Sequence, residues 1–348
     1  MKPRAALRVF QDPRFLRHDP GPGHPESVLR LAAVHAALDA APVPGTESCA
    51  APAAGRAALE RVHTPAYLER IAATEGGART VLDADTIASA ESHCVALHAV
   101  GAALAGVEAV IDGSAHHAFA LTRPPGHHAR RDSSMGFCLY NTVAIAAAHA
   151  LEAGGLDRVL VLDPDVHHGN GTQEAFYDSD RVLFVSSQQY PFWPGSGAVE
   201  ELGTGRGAGF SVNLPLPAGS GDADYLQAWS QAAGPLIEEF DPQLILVSAG
   251  FDAWHSDPLG GMALTESGYA ALYRLFRSWS DRHCPGRMVA CLEGGYDPDG
   301  LATAVRTALA VLAAETSSPP EPREETPAAS RLVARSQAAL APFWKTLS

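Results

Sequence analysis

Short apolar runs alternate with longer stretches of mixed polarity along almost the whole chain. This is the order expected of strands alternating with helices around a parallel sheet. The runs at 118–122, 158–162, 182–186, 210–214, 244–248 and 287–292 predict strands. Apolar residues at the wider spacing of a helix face predict helices over 92–111, 141–152, 225–240, 266–283 and 301–314. Gly and Pro punctuate the connections, but no mid-chain linker and no internal repeat interrupts the alternation. One α/β domain over residues 1–315 is expected, with a central, mostly parallel sheet flanked by helices.

The pattern breaks at 316–328, where Pro, Glu and Ser dominate and no core can form, so a solvated linker is expected. Beyond it, Leu332, Val333, Leu340, Phe343, Trp344 and Leu347 recur near helical spacing, with Pro342 interrupting. This predicts a C-terminal helix within 329–348. Its apolar stripe has two possible covers, the protein's own domain or a second subunit of a homo-oligomer.

Composition narrows the partners. With 39 acidic against 25 basic residues, the formal charge of -14 would repel nucleic-acid phosphates and anionic lipid, so neither nucleic acid nor membrane is an expected partner. No later stretch is expected to reach the ~20 uncharged apolar residues of a membrane span. Five cysteines, scattered and without Cys-x-x-Cys spacing, match neither a disulfide framework nor a thiolate metal site. A reducing, cytoplasmic location is the expectation.

Chemistry concentrates at strand ends. After the run at 118–122 comes Arg123-Pro124-Pro125-Gly126-His127-His128, and after 158–162 comes Asp163-Pro164-Asp165-Val166-His167-His168-Gly169-Asn170-Gly171. Gly250-Phe251-Asp252 and Glu293-Gly294-Gly295-Tyr296 follow two further strands. Ligands bind at the carboxyl ends of strands in open parallel sheets, and in extended chain Asp163, Asp165 and His167 share one side. Taken singly these elements are weak, because a His-His pair is commonly a packing feature and an Asp at a strand end commonly a helix cap. Together, two carboxylates and an imidazole make a three-ligand divalent-metal set with open positions. Two further histidines and a tyrosine would supply the remainder of an amide hydrolysis site.

With these motifs the chain resembles the zinc-dependent histone deacetylases and the bacterial histone-deacetylase-like and acetylpolyamine amidohydrolases. The resemblance runs from about His18 to Ala314 and includes His24-Pro25-Glu26, His63-Thr64-Pro65-Ala66-Tyr67-Leu68, Gly136-Phe137-Cys138, Pro194-Gly195-Ser196-Gly197 and Ser248-Ala249-Gly250-Phe251-Asp252-Ala253. It implies an arginase-like fold and one catalytic zinc ion on Asp165, His167 and Asp252. It implies His127 and His128 as general base and acid, oriented by Asp163 and Asn170, and Tyr296 as donor to the oxyanion. Gly136, Phe137, Trp193 and Leu259 would line the substrate tunnel. A structural potassium ion is implied at Asp163, Asp165, His167, Ser186 and Ser187, and a second near Phe176, Ser179, Val182 and Phe210.

Two positions depart from the family pattern: Pro164, which lacks a backbone donor and biases Asp163 toward extended conformation, and Gln188, where many relatives have histidine. The implied activity is removal of acyl groups from acyl-lysine-type amides. Acetylpolyamines or related small amides are the alternative substrates. A catalytically silent binding module would be expected to have lost some of these groups. A binuclear manganese hydrolase would need bridging carboxylates where Gly169, Asn170 and Gly171 stand. At Leu259, polyamine-selective relatives of the eukaryotic type carry a glutamate that meets the second substrate charge, which favours a neutral apolar stem here.

Overall fold

The computed structural model describes residues 5–321 and 324–347. Residues 1–4, 322, 323 and 348, which belong to the predicted domain, linker and C-terminal segment, lie outside the described residues. The strands are β1 (Ala5–Phe10), β2 (Thr46–Cys49), β3 (Thr80–Val81), β4 (Ile87–Ala88), β5 (Ala115–Ala120), β6 (Val159–Asp163), β7 (Val182–Gln189), β8 (Ser211–Leu216), β9 (Leu244–Ala249) and β10 (Met288–Leu292). All but β3 and β4 form one sheet in the order β2-β1-β5-β10-β9-β6-β7-β8. Every neighbouring pair in it is parallel. The short β3–β4 pair is antiparallel and separate.

The six predicted strands are β5 to β10. Each residue of β6, β7, β9 and β10 is buried, as expected where both faces of a parallel sheet are covered, and this is why each contains a distinct apolar run, although β7 ends in the buried polar residues Ser186 to Gln189. β1 and β2 were not predicted. β1 carries Arg8 at its middle, and β2 is a polar, half-exposed edge strand of sequence Thr-Glu-Ser-Cys.

The helices are α1 (Val28–Ala40), α2 (Arg56–Leu59), α3 (Pro65–Ala72), α4 (Ser92–Ile111), α5 (Thr142–Glu152), α6 (Asn170–Phe176), α7 (Asp222–Gln227), α8 (Gly234–Phe240), α9 (Glu266–His283), α10 (Pro298–Ala313) and α11 (Pro327–Leu340). They flank the sheet in groups. α4 and α5 pack together against β5, β6, β9 and β10, while α10 packs against α1, α9, β1 and β5. Contrary to the sequence expectation, α4 is long and apolar enough to cross a membrane. In this fold, however, 72% of its most apolar stretch is buried inside the protein.

The helix predicted over 225–240 is one rod with a fault in it. α7 passes through a wide π-type turn, Ala228–Ala233, before α8 begins. Pro235 accounts for the fault, since it has no N–H to offer the carbonyl of Gln231. That carbonyl accepts instead from the side-chain amide of Gln337 on α11, at 3.0 Å. α11 itself lies on the protein's own domain, against β8, α7 and the π turn. Leu332, Val333, Leu340 and Trp344 are buried there, and the indole of Trp344 donates to the carbonyl of Gly209 at 2.9 Å. Burying each of these aliphatic side chains is worth about 1.5–3 kcal/mol.

Candidate active site

The sheet order sets β5, β10, β9 and β6 side by side, and the four chemistry-bearing segments leave the carboxyl ends of these four neighbours. Segments more than a hundred residues apart in sequence thus converge, as expected for a site at the carboxyl edge of a parallel sheet.

Asp165, His167 and Asp252 come together at its floor, each offering one ligand atom within 4.8 Å of the others. His167 Nδ1 lies 3.3 Å from Asp165 Oδ1 and 3.2 Å from Asp252 Oδ2. Backbone N–H groups aim the carboxylates: Gly294 donates to Asp165 Oδ2 at 3.0 Å, and Val166 to Asp252 Oδ1 at 2.8 Å. Burial, reinforced by the charge of Asp165, pushes Asp252 up to about 7. Burial disfavours charge on His167, yet its contacts with Asp165 and Asp252 carry it up to about 10. A buried pair of carboxylates of which one, Asp252, and the neighbouring imidazole hold on to protons while Asp165 stays ionised marks a place for positive charge. Two carboxylate oxygens and one imidazole nitrogen fit a divalent metal ion with open coordination positions.

Glycines make this packing possible. A Cβ at Gly250 would sit 2.1 Å from Asp165 Oδ2, and one at Gly294 would sit 1.9 Å from Asp252 Oδ2. Any other residue at either place would drive into a ligand oxygen.

The histidine pair lies beside this floor, with ring centroids 3.9 Å apart. His127 Nδ1 meets Asp163 Oδ2 at 3.0 Å, and His128 Nδ1 meets Asn170 Oδ1 at 2.8 Å. His127 Nε2 is 3.8 Å from Asp165 Oδ2. Both rings are buried, but their surroundings push them in opposite directions. Burial opposes charge on His127, and the carboxylates of Asp163 and Asp165 outweigh it, holding this imidazole well above its ordinary range. For His128 burial acts together with the nearby His127 and His167 and holds it well below. Carboxylates that outweigh burial at His127, against burial and neighbouring imidazoles that outweigh Asp165 at His128, are the origin of the split.

Tyr296 is partly exposed, with the Arg30 guanidinium 4.7 Å from its ring centroid. Its hydroxyl is held well above the usual phenol range, by burial first and then by Asp252 and Asp165 against the counteracting Arg30. Phe137 meets Tyr296 edge to face at 5.7 Å, and Trp193 meets His128 edge to face at 4.6 Å. Gly136 lies between His128 and Trp193, where a Cβ would be 2.4 Å from one ring and 2.5 Å from the other. Leu259 is half-buried, and its N–H donates to Asp257 Oδ1 at 2.9 Å.

Several participating residues had no role assigned from sequence. Phe192 stacks on His167 at 5.5 Å, and its neighbour Trp193 was the only signal for it. Asp85 and Thr86, in the β3–β4 turn, accept the N–H groups of Gly136 and Phe137, each at 3.0 Å. Both of those residues have positive φ. Glu26 ties Arg123 to Arg30 in a fully buried ion-pair group.

Of the residues implied in potassium binding, Ser186 pairs in register with Asp163, and the Ser187 hydroxyl accepts from the Trp229 indole at 3.0 Å. Phe176, Ser179, Val182 and Phe210 gather toward the opposite end of β7, where Ser179 donates to the carbonyl of Phe176 and Phe184 to that of Phe210. Pro164 follows the last residue of β6, where its missing donor interrupts no ladder. Gln188 is buried, accepting from the Ser186 hydroxyl at 3.0 Å and donating to the carbonyl of Gly197 at 2.6 Å. It therefore ties β7 to the loop that carries Trp193.

The chain is similar to known proteins over most of its length. Residues 24–312 match the histone deacetylase domain. A probable deacetylase of Archaeoglobus fulgidus is 41% identical over 295 residues, covering 84% of this chain and 81% of that protein. A histone deacetylase-like amidohydrolase of Pseudomonas aeruginosa is 42% identical over 247 residues, 71% of this chain and 65% of its own length. The human polyamine deacetylase HDAC10 is 41% identical over 304 residues, which is 83% of this chain but 44% of that longer protein. The solved HD domain of HDA15 superposes with a TM-score of 0.91 at 34% identity, covering 98% of this chain and 96% of that one. The chain belongs to the histone deacetylase family of hydrolases.

Proposed function

We propose that the protein is a zinc-dependent amidohydrolase that removes acetyl or related acyl groups from acyl-lysine-type amines. The observation that carries this reading is the meeting of Asp165, His167 and Asp252 within 4.8 Å beside two buried imidazoles with oppositely shifted basicity. Zinc held by those three residues would act as a Lewis acid, acidifying water and polarising the amide carbonyl.

The chain's own groups handle the protons. With Asn170 accepting from its Nδ1–H, neutral His128 presents Nε2 as the acceptor for the proton of the attacking water, and then as its donor to the leaving amine. His127, held cationic by Asp163, stabilises negative charge developing beside it. This refines the sequence expectation of one base and one acid: both proton transfers fall to His128. The Tyr296 hydroxyl, kept protonated, donates to the oxyanion. Phe137 and Trp193 flank the stem of the substrate, and the half-buried Leu259 favours an apolar stem over a second ammonium. Carbonyl and hydroxyl oxygens around Ser186 and around Phe176 suit potassium, a hard cation, in a structural role. A cytoplasmic location belongs to the same reading.

An acetylated polyamine is the second substrate class, favoured by the net charge of -14 and by the polyamine deacetylase among the relatives. The deciding experiment compares kcat/KM for an acetyl-lysine peptide and acetylspermidine. The peptide is expected to be preferred. A preference for acetylspermidine beyond roughly tenfold, ~1.4 kcal/mol in transition-state binding, would reverse the assignment.

A further inference from the structure

We propose that Glu293 is a positioning residue for the histidine pair, holding the backbone of Gly126 and His127 so that the His127 ring meets Asp163. The proposal rests on the proton-handling roles given above to His127 and His128.

Glu293 follows the last residue of β10, and β10 pairs directly with β5, whose chain runs on into the histidine loop. Its Oε2 accepts from Gly126 N–H at 2.5 Å and from His127 N–H at 3.2 Å. Among the described residues these two N–H groups have no other acceptor. The imidazole is therefore fixed at its Nδ1 by Asp163 on β6 at 3.0 Å and through its backbone, whose N–H is held from β10 by Glu293 and whose carbonyl accepts from Gly171, Thr172 and Asn141. The clamp is itself anchored, since the carbonyl of Glu293 accepts from Arg30 Nη2 at 2.5 Å. The loop is also closed in behind: a Cβ at Gly126 would lie 2.7 Å from Thr142 N and 2.8 Å from Tyr140 O.

The other oxygen, Oε1, is buried and makes no hydrogen bond among the described residues. A buried acid with half of its acceptor capacity unused is a poor stabilising device, because desolvation offsets what two hydrogen bonds contribute. What the arrangement does supply is direction at His127. A small misplacement of a reacting group costs far more in rate than in stability.

The test uses the full chain carrying Glu293→Leu, which keeps the volume and removes the acceptor, and Glu293→Gln, whose amide oxygen can still accept both N–H groups. Zinc content, kcat, KM and crystal structures are measured for each. Glu293→Leu is expected to lower kcat about tenfold or more, with KM within about twofold, zinc content as in the wild type, and the His127 ring displaced from Asp163. Glu293→Gln is expected to recover most of the lost kcat and to keep that contact. Wild-type kcat in the leucine variant, a loss confined to KM or zinc content, or a glutamine variant as impaired as the leucine variant would each overturn the proposal. Should the leucine variant not fold, a loss beyond roughly threefold in the glutamine variant overturns it as well. Failure of the deacylase reading is distinguishable, since the wild type would then turn over no acylated amine. The structures would still decide the positioning role by the His127–Asp163 contact.

Discussion

Asp257 accepts the backbone N–H of Tyr296 at 2.6 Å through Oδ2. Its Oδ1 accepts the N–H of Leu259, so one carboxylate joins the tyrosine to the residue assigned to the substrate stem. Asp257→Ala releases both, and loss of a buried acceptor for charge-assisted bonds costs about 1.5–3 kcal/mol. Its kcat is expected to approach that of Tyr296→Phe, for which removal of one oxyanion donor lowers kcat ~100-fold to ~1000-fold. KM should change much less in either variant. A Tyr296→Phe enzyme within about threefold of wild type would make the tyrosine a wall residue.

Gly136 stands where φ is +56° and where a methyl group would meet the rings of His128 and Trp193. Gly136→Ala combines a left-handed backbone penalty of about 1–2 kcal/mol with displacement of His128. A lower melting temperature and a drop in kcat of at least about tenfold are expected together. A variant with its His128–Asn170 contact and kcat intact would show that the close approach has no catalytic consequence.

Metal affinity should rise with pH. In the folded chain Asp252 is pushed up to about 7 and His167 up to about 10, and both must release protons to bind a cation. In chelator-treated protein Asp252 keeps a proton that the unfolded chain has already released. Stability therefore falls as pH rises from the ordinary carboxylate range to about 7. His167 adds stability that is fully present below the unfolded imidazole value and is lost as pH rises through about 10. Asp165, held well below its ordinary value, stays ionised throughout this window. The gain in melting temperature on adding zinc should accordingly be larger near pH 8 than near pH 6. Equal gains at the two values would contradict the protonation pattern.

Leu259 offers no charge to a second ammonium. Leu259→Glu should move the kcat/KM ratio toward acetylspermidine and away from the acetyl-lysine peptide. An unchanged ratio would remove this position from the specificity of the site.

The candidate site was more legible in sequence than the frame around it. Asp163, Asp165 and His167 announce themselves because they follow a buried strand at alternate positions, and Pro-Pro-Gly-His-His because it cannot continue one. Glu293 reaches Gly126, Asp257 reaches Tyr296 and Glu26 reaches Arg123 across 39 to 167 residues of chain, which no local spacing reveals. β1 was missed because Arg8 interrupts its apolar character, and β2 because an edge strand needs little apolar residue content. Pro235 was visible within the predicted helix over 225–240, but the π turn depends on Gln337 receiving the carbonyl it frees.

The most direct test of the one-metal hydrolase reading is zinc content measured alongside acetate release from an acetyl-lysine peptide. Three ligands of a single site are identified among the described residues, so one equivalent of zinc per chain is expected. Chelation should abolish turnover, zinc should restore it, and Asp252→Ala should lose both metal and activity. Two equivalents of transition metal per chain, or full zinc occupancy in Asp252→Ala, would contradict the account.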